Sequence, residues 1–495
     1  MESRPPKAVI AGGGPAGALT AKVLADRGFD VDLYEAYPHP SLGKEEKKKA
    51  YSISISERGQ LALQRCGVDP LTDLDAVVIS EAVSRHNSTT GKTNVTKLNN
   101  ADIGSVFIKR RDLAASLLRA AEKSGVNVNC GWKLNDINFV KKEVTLVEGP
   151  GEDAGANEKT VSYDLLVGAD GVISQTRNLL SNYLNEKGED FSVKATHDKM
   201  EYQVAILPKP WKELLSEEKA NTPPLDTCPP ASVHSWADTE MGSTALAFPT
   251  RDSNQTPISK SIVCVIFPEG MLGFMKEFGH SGYTAALSTL LADWTVDSRL
   301  DLARLLAEKD NIPSIGGFCV WSQSLSHPGS GVVLIGDAGH AMFPSLGQGC
   351  NAALESVSVF ADAVEAVTGS VSSGAGCRNI DFSTSSHEDL VEAIALEYDG
   401  LRRDDALAAV DLSHSGIGGT NVRGQLHSSF IFKAQFMMMM ILHKLSAGLV
   451  PKPAMLRIMK GDSARYTTLK WQIQVEKYVL CVTVGILGYG ISKFI

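Results

Sequence analysis

The sequence has no CxxC pair. Its eight cysteines are scattered and none joins a histidine at zinc-site spacing, so neither a thiol redox motif nor a structural metal site is written in it. Thiols of this kind are expected to stay reduced, in a protein that faces the cytosol. Positive charge is also in short supply: 48 Lys and Arg stand against 57 Asp and Glu, for a net charge of -9. That excludes a general nucleic-acid binder. The densest basic run, KEEKKK at Lys44 to Lys49, is mixed with acids and reads as a solvated loop. The opening MESRPPKAVIAGGG enters an apolar strand almost at once, which leaves no room for a cleavable targeting peptide. Without a secretory signal, the N-x-S/T matches at Asn87, Asn94 and Asn254 carry no weight.

A membrane-crossing helix needs about 20 consecutive apolar residues. The nearest approach is YVLCVTVGILGYGIS, Tyr478 to Ser492, which is free of charge between Lys477 and Lys493. As a helix it is about 22 Å long. With snorkelling lysines and flanking residues, segment 478–495 is expected to act as a membrane anchor or interfacial helix. A second apolar segment, FIFKAQFMMMMILHKL, is interrupted by Lys433 and His443. No Ser-His-Asp triad, metal cluster or carboxylate pair stands out. No catalytic side chain and no metal ligand is therefore assigned, and the chemistry is expected to reside in a cofactor.

What is present is glycine in special places. KAVIAGGGPAGALTAKVLADRGFDVDLYEA, Lys7 to Ala36, reads strand, turn, helix, strand. Gly12, Gly14 and Gly17 fit G-x-G-x-x-G. Gly12 permits the tight turn, Gly14 lets backbone approach a pyrophosphate, and Gly17 lets helix and strand pack closely. Pro15 and Ala16 open a helix that should run to about Arg27, with Gly28 as its cap. Its N-terminus offers free N–H groups to phosphates. Glu35, at the end of the second strand, can accept hydrogen bonds from ribose hydroxyls. An acid there favours a ribose without a 2′-phosphate, hence FAD or NAD.

Two further elements repeat the pattern. YDLLVGADGVISQTR, Tyr163 to Arg177, is an apolar strand ending in Gly168, Asp170 and Gly171. GVVLIGDAGHAMFPSLGQGCNAALE, Gly331 to Glu355, is a strand followed by Asp337, Pro344, Gly347 and Gly349, then a helix opening near Cys350 and Asn351. His340 within it reads as a structural contact. IKRRDLAASLL, Ile108 to Leu118, places Arg110 with Leu113 and Leu117 at helical spacing, Arg111 being the competitor for the same role.

Three such elements in this order resemble the single-component FAD-dependent aromatic hydroxylases, which share the fold of para-hydroxybenzoate hydroxylase. SISISERGQLAL (Ser52 to Leu63), RRDDALAAVDLS (Arg402 to Ser413) and the C-terminal tail extend the resemblance to the kynurenine 3-monooxygenase branch. The resemblance implies an α/β (α+β) fold: a Rossmann-like FAD-binding domain (1–75, 103–180 and 320–370), an inserted mixed-sheet substrate domain (76–102 and 181–319) and a helical C-terminal region (371–495). It implies that Asp337 bonds the ribityl chain, that the following helix N-terminus faces the flavin, and that Arg110 reaches the pyrophosphate. It also places Ser54, Leu134, Asp170, Pro344 and Cys350 on the cofactor. The implied activity is oxygen insertion from O2 into an aromatic or other electron-rich small molecule, through a flavin C4a-hydroperoxide, with NADPH or NADH as transient reductant. A membrane-associated protein with its catalytic part in the cytosol, on the mitochondrial outer membrane or endoplasmic reticulum, would fit.

The substrate residues of that branch are not matched. Its Arg, two Tyr and Asn fall at Ser84, Leu98, Pro453 and Gly416 here, and Pro344 is followed by Ser345 and Leu346. Arg85, one residue from the expected position, is the remaining candidate for a carboxylate partner. Lys49 and Tyr51 stand near the family's mobile loop. Two other readings stay open: a membrane-associated FAD-dependent reductase of isoprenoid double bonds, and a non-catalytic escort-type binding protein with an FAD fold.

Overall fold

The computed structural model describes residues 4–41, 52–79, 82–87, 91–97, 105–149, 157–197, 200–223, 225–238, 240–251, 256–308, 317–369, 386–414 and 426–492. Its first body is built on Lys7–Ala11, a strand whose residues Ala8, Val9 and Ile10 are fully buried. It sits inside a six-stranded sheet in the order Ser326–His327, Val332–Leu334, Leu165–Gly168, Lys7–Ala11, Asp30–Glu35, Asn127–Cys130. All neighbours are parallel except the first pair. Continuous apolar runs form such strands because both faces are covered. Ala8 and Ile10 pack on the helices Pro15–Ala25, Arg110–Lys123 and Gly349–Thr368, while Val9 and Ala11 pack under the antiparallel strands Trp132–Asn138 and Glu143–Glu148.

The Pro15–Ala25 helix ends two residues before Arg27, and Asp26 is its cap residue. Gly28 instead takes φ +87°, the left-handed turn that leads into Asp30–Glu35.

A second six-stranded sheet follows the order Met200–Leu207, Lys260–Pro268, Ser243–Thr250, Val233–Asp238, Ala82–Asn87, Lys92–Lys97. It is antiparallel apart from the pair Val233–Asp238 and Ala82–Asn87. Alternation is clean, as a sheet with one covered face requires. Ala205, Trp236, Ala247 and Val265 join a core with the helices Met271–Leu290 and Val296–Ala307.

Four helices close the chain: His387–His414, Leu426–Leu445, Ala454–Lys460 and Tyr466–Ser492. The membrane-anchor expectation for 478–495 is corrected here. Its apolar stretch belongs to a helix that starts twelve residues earlier and contains Lys470, Glu476 and Lys477. Glu476 is buried and accepts hydrogen bonds from Gln435, Gln472 and the Ala454 N–H, so the first half of this helix is docked against protein. Among the described residues no helix is long and apolar enough to cross a membrane. Side chains from 484 onward lie outside the described residues.

Candidate active site

The first glycine turn is closed by sterics. Gly12 has φ +107°, and a Cβ there would stand 2.4 Å from the Ala169 carbonyl oxygen. A Cβ on Gly17 would stand 2.0 Å from the Gly12 oxygen. Gly14 differs: a Cβ on it would meet only the Arg110 guanidinium, at 3.7 Å. The helix that Gly14 opens, with Pro15 at its first position, has no side-chain cap and no acid in its first turn. Its N–H groups and positive dipole end therefore face open space. Glu35 borders that space. Its carboxylate accepts from the Gly13 N–H at 2.7 Å and the Tyr37 N–H at 3.0 Å, and each oxygen keeps a lone pair for another donor.

The Arg110–Lys123 helix separates the two candidate arginines. Leu113 and Leu117 are fully buried, which fixes the helix on the sheet. Arg110, its first residue, reaches Gly14, whereas Arg111 donates to the Pro40 carbonyl at 2.6 Å.

The third element supplies the opposite wall. Gly336, with φ 66° and ψ -140°, adopts a conformation open only to glycine. A Cβ there would lie 3.1 Å from the Ala353 Cβ and 3.2 Å from the Ala16 Cβ, so two helix N-termini converge on this one residue. Asp337 follows. Its side chain is exposed, beside the glycine on which the two helix N-termini converge. Desolvation by the surrounding protein holds its carboxyl above the usual range, partly offset by Arg110 nearby. Cys350 is half-buried, and burial, reinforced by Asp337, pushes its thiol up to about 12. It is a neutral thiol. Pro344 and Leu346 form one tight turn, packed against Gly317. Gly347 has φ +62° with open space where a Cβ would be, and the Gly349–Thr368 helix begins without a side-chain cap or first-turn acid.

Other candidates are engaged with protein. The Asn351 amide donates to the Ser54 and Gly347 carbonyls and accepts from the Ser56 N–H. It ties this helix to the Ser52–Ile55 strand. Asp170 accepts from the Ser174 hydroxyl at 2.5 Å and from the Thr176 N–H and hydroxyl, which sets the Gln175–Glu186 helix. From that helix Arg177 donates to the Ala338 carbonyl at 2.9 Å, bracing the segment that carries Asp337. Leu134 is buried in the apolar core shared with Tyr34. His340 is buried with Nε2 2.8 Å from the Ser356 hydroxyl, a structural contact.

Arg85 lies on Ala82–Asn87, in register with Ser235 and Asn94, and its side chain lies outside the described residues. Lys49, Tyr51, Leu98 and Gly416 also lie outside them. Ser84 pairs with His234, and Pro453 precedes the Ala454–Lys460 helix. Sequence reasoning missed the buried ion network behind the site. Arg402 donates to Glu355, Asp405 and the Ala352 carbonyl, and Arg58 pairs with the other Glu355 oxygen. The only signal was the Arg402–Arg403 doublet, and the partners are too distant in sequence to be read from it.

Two uncapped helix N-termini, a guanidinium and an acid at a strand end thus converge on one crevice. That donor set suits an anionic, extended ligand with a pyrophosphate and a ribose. FAD has that chemistry: Gly14 and Arg110 would hold its pyrophosphate, Glu35 its ribose, and Asp337 with the Gly349–Thr368 N-terminus its ring end. Residues 6–224 match the family described as FAD binding domain. Kynurenine 3-monooxygenase of Neurospora crassa is 27% identical over 384 residues, covering 74% of this chain and 70% of that protein. Kynurenine 3-monooxygenase 2 of Aspergillus niger is 27% identical over 458 residues, covering 87% and 84%. The structure of Klebsiella pneumoniae HpxO, solved with FAD and uric acid, superposes with a TM-score of 0.59 at 18% identity, covering 88% and 93% of the two chains. The chain is similar to the FAD-dependent aromatic hydroxylases, and its first part matches their FAD-binding domain. It is a flavoprotein monooxygenase with the fold of that family, a Rossmann-like sheet with a second sheet beside it.

Proposed function

We propose that this enzyme uses NADPH or NADH to insert one oxygen atom of O2 into an aromatic or other electron-rich small molecule. The observation that carries the reading is the convergence of two uncapped helix N-termini, Arg110 and Asp337 on one crevice. Bound FAD would supply the two-electron and oxygen chemistry. The chain's own groups hold and tune. Arg110 and the N–H groups after Gly14 neutralise the pyrophosphate. The N–H groups opening the Gly349–Thr368 helix stabilise negative charge at the ring edge, at no reorganisation cost. The inserted domain, here the sheet from Met200 to Pro268, covers the ring and keeps water out. Only one glycine turn of this kind occurs among the described residues, so the nicotinamide reductant binds transiently. Reduced-nicotinamide oxidation and oxygen uptake by flavin-loaded protein test this. Uptake that rises on adding a substrate, with a hydroxylated product, is expected. Oxygen-independent consumption of reductant would favour the isoprenoid-reductase reading. No reductant oxidation at all would favour the binding-protein reading.

We also propose that the protein lies on a membrane surface. The packed helices Leu426–Leu445 and Tyr466–Ser492 each leave an apolar row exposed: Met437, Ile441 and Leu445 on one, Trp471, Val475 and Tyr478 on the other. Rows at this spacing suit an interfacial helix that lies in the headgroup plane. Flotation with liposomes should capture the full chain, and Trp471→Glu with Ile441→Glu should release it. Equal recovery of both proteins would overturn this.

A further inference from the structure

Three residues at the start of the Gly349–Thr368 helix are spaced to share one face: Gln348, Asn351 and Glu355. Each connects to the same short segment, 461–466, which joins the Ala454–Lys460 helix to the Tyr466–Ser492 helix. Gly461 has φ +67°, and a Cβ on it would stand 2.0 Å from the Ser56 hydroxyl oxygen, so its backbone lies directly on Ser56. Ser56 in turn donates its N–H to the Asn351 side chain at 3.0 Å. The Gly461 carbonyl accepts the Arg58 N–H at 3.0 Å. The Arg58 guanidinium donates to the Asp462 carbonyl at 2.7 Å and to the Ala464 carbonyl, and it pairs with Glu355. It also lies 3.9 Å from the centre of the Tyr466 ring. The Tyr466 hydroxyl reaches the Gln348 side-chain oxygen at 3.5 Å. Arg457 holds Asp462 through two hydrogen bonds, at 2.8 and 3.1 Å, so the segment is itself braced.

Apolar packing runs the same way. Met342, Leu346 and Ala352, on either side of the turn at 347–349, share a core with Met455, Ile458, Tyr466 and Leu469. The turn has little to order it from within. Gly347 has φ +62° with open space where a Cβ would be, and the helix has no side-chain cap. Glycine backbone is costly to order. N–H groups stabilise a developing charge well only when they are already held in place. Segment 461–466 supplies that order through Gln348, Asn351 and Glu355.

We propose that Tyr466 and Arg58 are positioning residues for the flavin reaction. Through them, segment 461–466 sets how strongly the helix start favours reduced over oxidised flavin. This rests on the monooxygenase reading of the crevice. Reduced flavin carries the added negative charge that a helix N-terminus stabilises. The two-electron midpoint potential of flavin bound to full-length protein, read against redox dyes, tests it. Tyr466→Leu removes ring and hydroxyl, Tyr466→Phe removes the hydroxyl alone, and Gly461→Ala drives a methyl into Ser56. Tyr466→Leu and Gly461→Ala should each lose about tenfold in preference for reduced flavin, a midpoint lower by about 30 mV. Tyr466→Phe should fall between them and the wild type. Leu469→Ala loosens the same apolar core but removes no polar group, and it should keep the wild-type midpoint. Equal midpoints in wild type, Tyr466→Leu and Gly461→Ala overturn the proposal, because a merely structural support weakens both flavin forms alike. An equal shift in Leu469→Ala overturns it too. Should Tyr466→Leu or Gly461→Ala fail to fold or to retain flavin, Tyr466→Phe and Arg58→Lys decide. The lysine keeps the charge and loses the fork that spans the two carbonyls. Unmoved midpoints in both overturn the proposal. Wild type that holds no flavin defeats the cofactor reading itself, whereas flavin held with unmoved midpoints defeats the proposal alone.

Discussion

Gly14 and Gly17 belong to one motif but differ in what they tolerate. Gly14 has ordinary φ and open space beside it, so Gly14→Leu should fold with a stability change under about 0.5 kcal/mol and lose flavin. Gly17→Ala drives a methyl into the Gly12 carbonyl and should cost about 1–3 kcal/mol. Denaturant unfolding together with flavin content separates the two, and an unstable Gly14→Leu would contradict the assignment. Arg110 and Arg111 make a second pair. Removing a charge-assisted contact costs about 1.5–3 kcal/mol, so Arg110→Ala should weaken FAD binding by about 10–100-fold. Arg111→Ala, whose guanidinium donates to the Pro40 carbonyl, should leave it nearly unchanged. Quenching of flavin fluorescence on titrating apoprotein measures both. The glycines and Glu35 were legible because their geometry is local, set by a turn and a strand end. Arg110 was preferred to Arg111 only through the spacing of Leu113 and Leu117, because a helix start allows either to face the turn. The glycine motifs and the resemblance place Asn351 and Asp170 at the cofactor. Their protein partners, the Ser54 and Ser56 backbone and Ser174 with Thr176, appear only once the chain is folded.

The Gly349–Thr368 helix is held by the His387–His414 helix through buried charge. Arg402 is 1% exposed and faces Glu355 and Asp405. Arg402→Met removes the buried guanidinium between Glu355, which keeps Arg58, and Asp405, and should cost about 3–5 kcal/mol in denaturant unfolding. A cost below about 1 kcal/mol would mean the network is incidental. His340 sits on the same helix interface, and burial lowers its pKa from 6.5 to about 3. The native state holds the neutral ring. Its stabilising contribution is complete above about pH 6.5 and is lost as pH falls toward 3, because the unfolded chain takes up a proton that the native chain refuses. The slope is about 1.4 kcal/mol per pH unit. Between pH 7 and pH 5 the wild type should therefore lose about 2 kcal/mol more than His340→Gln, as read from urea unfolding. Equal losses would place His340 in a more solvated setting. Element positions such as Lys7–Ala11 and Asp30–Glu35 were readable from apolar runs. The interface between the two helices was not, since its charges look like solvated surface in the sequence.

At the scale of the whole molecule, the parallel sheet and the order of its three glycine elements followed from motif spacing. The antiparallel sheet was expected only as a mixed sheet, and only through the resemblance, because its strands carry no glycine motif to fix them. The membrane-crossing reading of the tail fell for a related reason. A charge-free run of residues looked terminal and unpartnered, whereas Glu476 and its neighbours dock the start of the same helix. The central claim is that one atom of O2 enters an organic substrate on this protein. The most direct measurement supplies flavin-loaded protein with reduced nicotinamide, heavy-isotope oxygen gas and a panel of electron-rich aromatics, and weighs the products. The account predicts a product heavier by one labelled oxygen, formed only when protein, flavin, reductant and oxygen are all present. A product that gains two hydrogens without oxygen, or an unlabelled panel beside steadily oxidised reductant, would contradict it.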